Sequence, residues 1–148
     1  VSGIHTVLLP VGTDLYAVPI DSVREILAAP VVTRLMTAPA AVLGLINLRG
    51  EIVPMLDTAA LLGLGTVGTV SFAAVMHTPY GPAALALTGF PQRAELGSSS
   101  GPSELPGTLG TYRLGQQVAV LLDPPVLLVP ERLGGHETPT APATSGTR

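Results

Sequence analysis

Apolar residues come in short runs separated by Gly, Pro, Asp and Ser, the pattern of a chain that turns often and builds no long amphipathic helix. The runs predict strands at residues 5–11, 14–19, 31–36, 45–48, 52–56, 70–77, 83–88, 110–114 and 118–122. Many short strands at close spacing imply small barrels or a sandwich. Pro10, Pro19 and Pro54 fall in or at the ends of these runs, where edge or bulged positions are expected because proline cannot donate to a ladder. The run Gly44-Leu45-Ile46-Asn47-Leu48-Arg49-Gly50-Glu51-Ile52-Val53-Pro54-Met55-Leu56-Asp57 reads as a hairpin. Gly50 supplies the turn conformation, and Arg49 sits at the turn, where a charge is easily solvated.

Helices are expected to be short. Ser22 followed three residues later by Glu25 forms a capping box that would open a helix carrying Val23, Ile26 and Leu27. Asp57 precedes residues 58–62 with Gly63 as a stop, and Asp123 precedes Pro124 at a first-turn position, so both aspartates read as helix caps. The segments 52–62 and 118–128 share Leu-Asp and Leu-Leu at the same offsets, which suggests two similar strand-turn-helix units. Residues 63–69 and 97–107 read as loops, and the Thr-, Pro- and Ala-rich stretch 134–148 as a disordered tail.

Composition narrows the functions. The 148 residues suffice for one domain or two small, intimately packed ones. A net charge of −3, with every basic residue an arginine, and few aromatics disfavour nucleic acid as a partner. Cysteine is absent, which excludes thiolate metal sites and a cysteine nucleophile. The apolar stretches, such as 38–46, are too short and too rich in Pro or Gly to span a bilayer, and Val1 to Ile4 lack the features of a signal peptide. A soluble chain without direct membrane insertion is the expectation, compatible with the reducing cytosol. His5, His77 and His136 lack metal-ligand spacing, and Gly63-Leu64-Gly65 is followed by neither a Lys nor a long helix. No nucleophile-base pair, metal cluster or cofactor loop emerges, so neither catalysis nor a cofactor is expected.

The 44–57 run resembles the central motif of the CheW family, the adaptor proteins of bacterial chemosensory arrays. Upstream, Asp14 to Leu27 resembles the family's strand followed by a V-x-E-I helix; downstream, residues 57–63 resemble its short helix, and 117–123 with Leu127-Leu128 its closing strand and helix. The likeness spans roughly residues 5–130 and is strongest before residue 65, within a CheW-like domain drawn at 1–133. It implies an all-β fold with a few short helices, arranged as two intimately packed five-stranded SH3-like β-barrels. It further implies a non-enzymatic coupler that binds the cytoplasmic tip of a chemoreceptor and the regulatory domain of the histidine kinase CheA.

Glu25 and Arg49 lie beside apolar runs, where charges are paired or used in recognition. On the residues alone, a capping Glu25 and a solvated Arg49 is the preferred reading. The resemblance adds an interaction role, since the family associates this Glu and Arg with each other and with receptor and kinase coupling. It also implies a kinase-facing first barrel and a receptor in the crease between barrels. The interface candidates are therefore Glu25, Val31, Val32, Leu35, Met36, Leu45, Asn47, Leu48 and Arg49. Where the second barrel of the family carries a further V-x-E-I-like helix, this chain has Gly89 and Pro91, which disfavour one and bring the ring-closing contacts into question. Alternative readings are a module of a chemosensory pathway serving twitching pili or gene regulation, a piece of a larger CheW-domain protein, or a small β-barrel enzyme or ligand carrier.

Overall fold

A computed structural model describes residues 3–129, so the expected tail at 134–148 lies outside the described residues. In chain order the strands are β1 Ile4–Val11, β2 Asp14–Pro19, β3 Val23–Ala28, β4 Val42–Leu48, β5 Glu51–Leu56, β6 Phe72–Met76, β7 Ala83–Leu87, β8 Gln92–Leu96, β9 Thr108–Leu114 and β10 Gln117–Leu122. Two one-turn helices, α1 Thr58–Leu61 and α2 Pro124–Leu127, follow β5 and β10. The strands form two five-stranded sheets, ordered β8-β1-β2-β10-β9 and β3-β6-β7-β5-β4. These are the two β subdomains that the sequence suggested.

The two orders are the same order. Replacing β8, β1, β2, β10 and β9 by β3, β6, β7, β5 and β4 maps one sheet onto the other, including the single parallel pair in each, β2–β10 and β5–β7. Each half of the chain leaves two strands in one sheet and sends three to the other, so neither barrel is complete without both halves. The echo between 52–62 and 118–128 is thus a structural repeat, with Leu56 and Leu122 in matching places.

Alternation along the strands divides the apolar residues among three clusters. Val7, Leu9, Val18, Leu56, Met76, Leu85 and Leu122 pack with Leu61 and Leu127 of the two helices. Ile46, Val53, Met55, Val75 and Ala84 form the core of the barrel that contains β4 and β5, and Leu96, Ala119 and Leu121 that of the other. All of β7 is buried, as expected of a central strand covered on both faces. Tyr16 lies at 2% exposure with its hydroxyl 3.5 Å from Asp14 Oδ2; burial first, then the Asp14 charge, pushes its pKa up to about 12.

Three expectations are corrected. The capping-box helix at Ser22 does not form: Ile20–Ser22 make a 3₁₀ turn, and Val23–Ala28 continue as β3, paired with β6. So short a helix would gain little by itself, whereas β-branched Val23 and Ile26 gain a full ladder. Residues 31–36 are not a strand either; only Thr33 bridges Leu45, while Val31 and Met36 stand open to solvent. Residues 92–96, for which the sequence predicted no element, form β8 along β1.

Asp57 caps α1 as expected, accepting from the Ala60 and Val67 amides, whereas the Asp123 side chain makes no capping bond and leaves α2 to its backbone and its prolines. The loops before β4 and β9 cover the outer edges of those strands by matching bridges, Thr33 to Leu45 and Gly101 to Thr111. Close approach differs between them: a Cβ on Gly44 would sit 2.3 Å from the Thr33 carbonyl oxygen, while one on Gly110 would sit 3.3 Å from that of Gly101. Gly44→Ala should therefore cost about 1–3 kcal/mol and Gly110→Ala clearly less, read as shifts in denaturant midpoint. Equal losses would contradict this account of the edge.

Candidate functional site

The β4–β5 hairpin closes through Arg49 and Gly50, with Leu48 opposite Glu51. Both turn residues have positive φ, +52° at Arg49 and +89° at Gly50, and Asn47 Oδ1 accepts from the Gly50 amide at 2.8 Å. A left-handed backbone is uncommon for arginine. The matching turn of the other barrel, between β9 and β10, has Gly115 in that place with φ +63°. The other barrel makes this corner with a glycine, so the turn itself does not call for an arginine.

Its guanidinium reaches across the barrel seam to β3. Nη1 and Nη2 of Arg49 donate to Oε1 and Oε2 of Glu25 at 3.2 and 2.6 Å, a two-point fork. A bulge in β3, where the register shifts between Val23 and Glu25, leaves Arg24 as the extra residue. Arg24 Nη1 donates to Glu51 Oε1 at 3.0 Å, and its Nε lies 3.8 Å from Glu25 Oε2. The four charges alternate in a ladder, Arg49, Glu25, Arg24, Glu51, that ties β3 to the hairpin although the two lie at opposite edges of one sheet. The Arg49 side chain is 65% exposed and that of Glu25 26%, so the cation is open to a partner while its counter-ion is held beneath. Hydrogen bonding from Arg49 holds the Glu25 carboxyl below its ordinary value of 4.5, partly opposed by desolvation, and the same bond raises Arg49.

Beside this seam runs a groove between the two sheets. Its walls are β8, the edge of one sheet, and β3 with the preceding 3₁₀ turn, at the matching edge of the other. A lobe of about 620 Å³ is lined by Thr6, Ile20, Asp21 and Arg93, among others. An adjoining lobe of about 320 Å³ shares Ile20 and Arg93 and adds Val7, Val23, Arg24 and Ile26.

The structure brings some of the candidates together and separates others. Glu25 and Arg49 pair, and Asn47 serves their turn. Leu48 is core, Val32 packs against the core and Leu45 is half-buried at the Thr33 bridge. Val31, Leu35 and Met36 are exposed, at 85%, 44% and 101%, on the loop before β4. Sequence reasoning missed Arg24 and Glu51, although the neighbouring opposite charges Arg24-Glu25 and Arg49-x-Glu51 signal a crossed pairing once both segments are strands. Among the described residues no group of three His, Asp or Glu could hold a metal, and no helix is long and apolar enough to cross a membrane.

The chain is thus a module of paired β-barrels with an open groove between them and a charged seam beside it. Residues 5–131 match the model of the CheW-like domain. The chain is 44% identical over 54 residues to a probable chemotaxis protein CheW of Rhizobium etli, covering 36% of this chain and 35% of that protein. It is 42% identical over 62 residues to the chemotaxis protein CheW of Rhizobium meliloti, covering 42% and 40%. These alignments span well under half the length of either relative. The fold is that of the scaffolding protein TtCheW of Thermoanaerobacter tengcongensis, with a TM-score of 0.70 at 20% identity over 84% of this chain and 92% of that one. The chain belongs to the CheW-like domain family.

Two measurements probe the seam. Because Glu25 titrates lower folded than unfolded, its contribution is full above 4.5 and is lost as pH falls through the lowered value. The difference in Tm between the protein and Glu25→Gln should hold from pH 7 to 5 and close below; a difference indifferent to pH would refute the pairing. Arg49→Gly, which copies Gly115, should leave Tm unlowered, because relief of the left-handed arginine offsets loss of an exposed pair. A marked fall in Tm would make the pair structural.

Proposed function

We propose that the chain is a non-enzymatic adaptor that couples a chemoreceptor to the histidine kinase CheA in chemotaxis, acting in the cytoplasm at membrane-associated receptor arrays. The observation that carries this reading is the adjacency of the groove and the charged seam: Arg24 and Ile26 of β3 line the groove, and Glu25 between them holds the open Arg49 guanidinium. The receptor's cytoplasmic tip lies in the groove. The kinase regulatory domain docks on the first barrel through the exposed Val31, Leu35 and Met36 of the loop before β4. Each contact buries about 800 Å² per partner or less, with strength supplied by repetition in the array. Because β3 lines the groove and its Glu25 is tied to the hairpin beside β4, a shift of the receptor against β3 is felt on the kinase-facing side. The two affinities are thereby linked.

Titration of the chain with the kinase regulatory domain and with a receptor tip tests this reading. Saturable binding to both is expected, with Arg49→Asp folded but at least several-fold weaker toward the receptor. Binding to neither by a folded chain would overturn the proposal, and loss of cooperative unfolding in Arg49→Asp would return that residue to a structural role.

A further inference from the structure

Most charges around the groove are already engaged. Arg24 is tied to Glu51, and Glu95 accepts from the Gly3 amide at 3.1 Å with His5 Nε2 3.9 Å away. The side chains of Asp21 and Arg93 differ: both are exposed, both line the same lobe, and among the described residues neither side chain has a hydrogen-bond or ion-pair partner. They do not pair with each other. Arg93 stands at the junction of the two lobes, while Asp21 lines the larger lobe only. Apolar residues line both lobes beside them, Ile4, Pro19 and Ile20 in the larger and Val7, Ile20 and Val23 in the smaller.

The internal repeat shows that the fold does not require these charges. Arg93 lies opposite Val7 in one sheet, and the matching pair in the other is Ile26 opposite Ala74. Counting on from the parallel pairs, the position that matches Asp21 is Thr88. At these two positions one copy of the repeat therefore carries free, opposite charges, one on each wall of the groove, where the other copy carries an aliphatic residue and a hydroxyl.

We infer that Asp21 and Arg93 form a two-point charge code that selects and orients the receptor helix in the groove. The inference rests on the adaptor reading and adds to it the chemistry of the occupant. That occupant is an amphipathic helix whose apolar ridge lies against the apolar lining of the groove. On the same face it carries a carboxylate that meets Arg93 at the lobe junction and a cation that meets Asp21 in the larger lobe. A helix lying in the opposite direction would set like charges together, so the code fixes polarity as well as identity.

The probe is the isolated cytoplasmic tip of a chemoreceptor from the same organism, titrated into the protein, Arg93→Glu and Asp21→Arg at low and high salt. Both side chains are exposed and unpartnered, so thermal melts of the variants should match the parent. Each variant is expected to bind the tip about tenfold more weakly at low salt, with the difference shrinking as salt rises. Affinity for the kinase regulatory domain should not change. Changing the tip's exposed carboxylates to lysine one at a time should yield one tip that restores binding to Arg93→Glu. Parental affinity in both variants, or an equal loss toward the kinase domain, would overturn the charge code while leaving the adaptor reading in place. Failure of the parent protein itself to bind the tip would overturn both.

Discussion

The pairings between the two halves of the chain, β2–β10 and β5–β7 in parallel and β1–β8 and β3–β6 antiparallel, are the joints on which the rest of the molecule depends. With the halves exchanged in this way, Leu9, Val18, Leu56, Met76, Leu85 and Leu122 pack into one shared cluster that neither half could bury alone. The exchange also leaves β3 and β8, matching edge strands from opposite halves, to form the walls of the groove. The groove is thus a consequence of the topology rather than an addition to it.

The internal repeat is broken at a few identifiable positions. At the hairpin corner one barrel has Gly115 and the other Arg49, both with positive φ, and the arginine carries a conformational cost the fold does not ask for. Its return is a two-point bond to Glu25 that ties β3 to the hairpin next to it. Exposed ion pairs contribute little to stability, so the ladder of Arg49, Glu25, Arg24 and Glu51 is better understood as fixing geometry than as holding the barrel together. Asp21 and Arg93 break the same symmetry inside the groove.

Much of this was legible in the sequence, for identifiable reasons. The Gly44–Asp57 hairpin could be read because its turn chemistry and its two apolar runs agree, and the Asp57 cap because capping is local. The helix expected at Ser22 failed because the pairing of β3 with β6 is set by residues some fifty positions away, which no local pattern records. Strand β8 was hidden by Gly89, Pro91 and its own charged residues, features that read as loop until β1 supplies the missing ladder. Val31, Leu35 and Met36 stand exposed on a loop instead of the expected strand, because only Thr33 of that segment bridges Leu45. Arg24 and Glu51 carried a signal in their neighbouring opposite charges that becomes legible only once both segments are strands, and Asp21 and Arg93 could not be found from spacing at all, because their placement depends on which edges the barrels bring together.

As proposed, the molecule is a bridge, with one partner in the groove and another on the barrel that contains β4 and β5, held at the same time. The most direct measurement is sedimentation of a receptor tip mixed with the kinase regulatory domain, with and without this chain. The account predicts that the chain carries the two into a single complex containing one copy of itself and both partners. Mutually exclusive binding, in which saturating one partner releases the other, would contradict it.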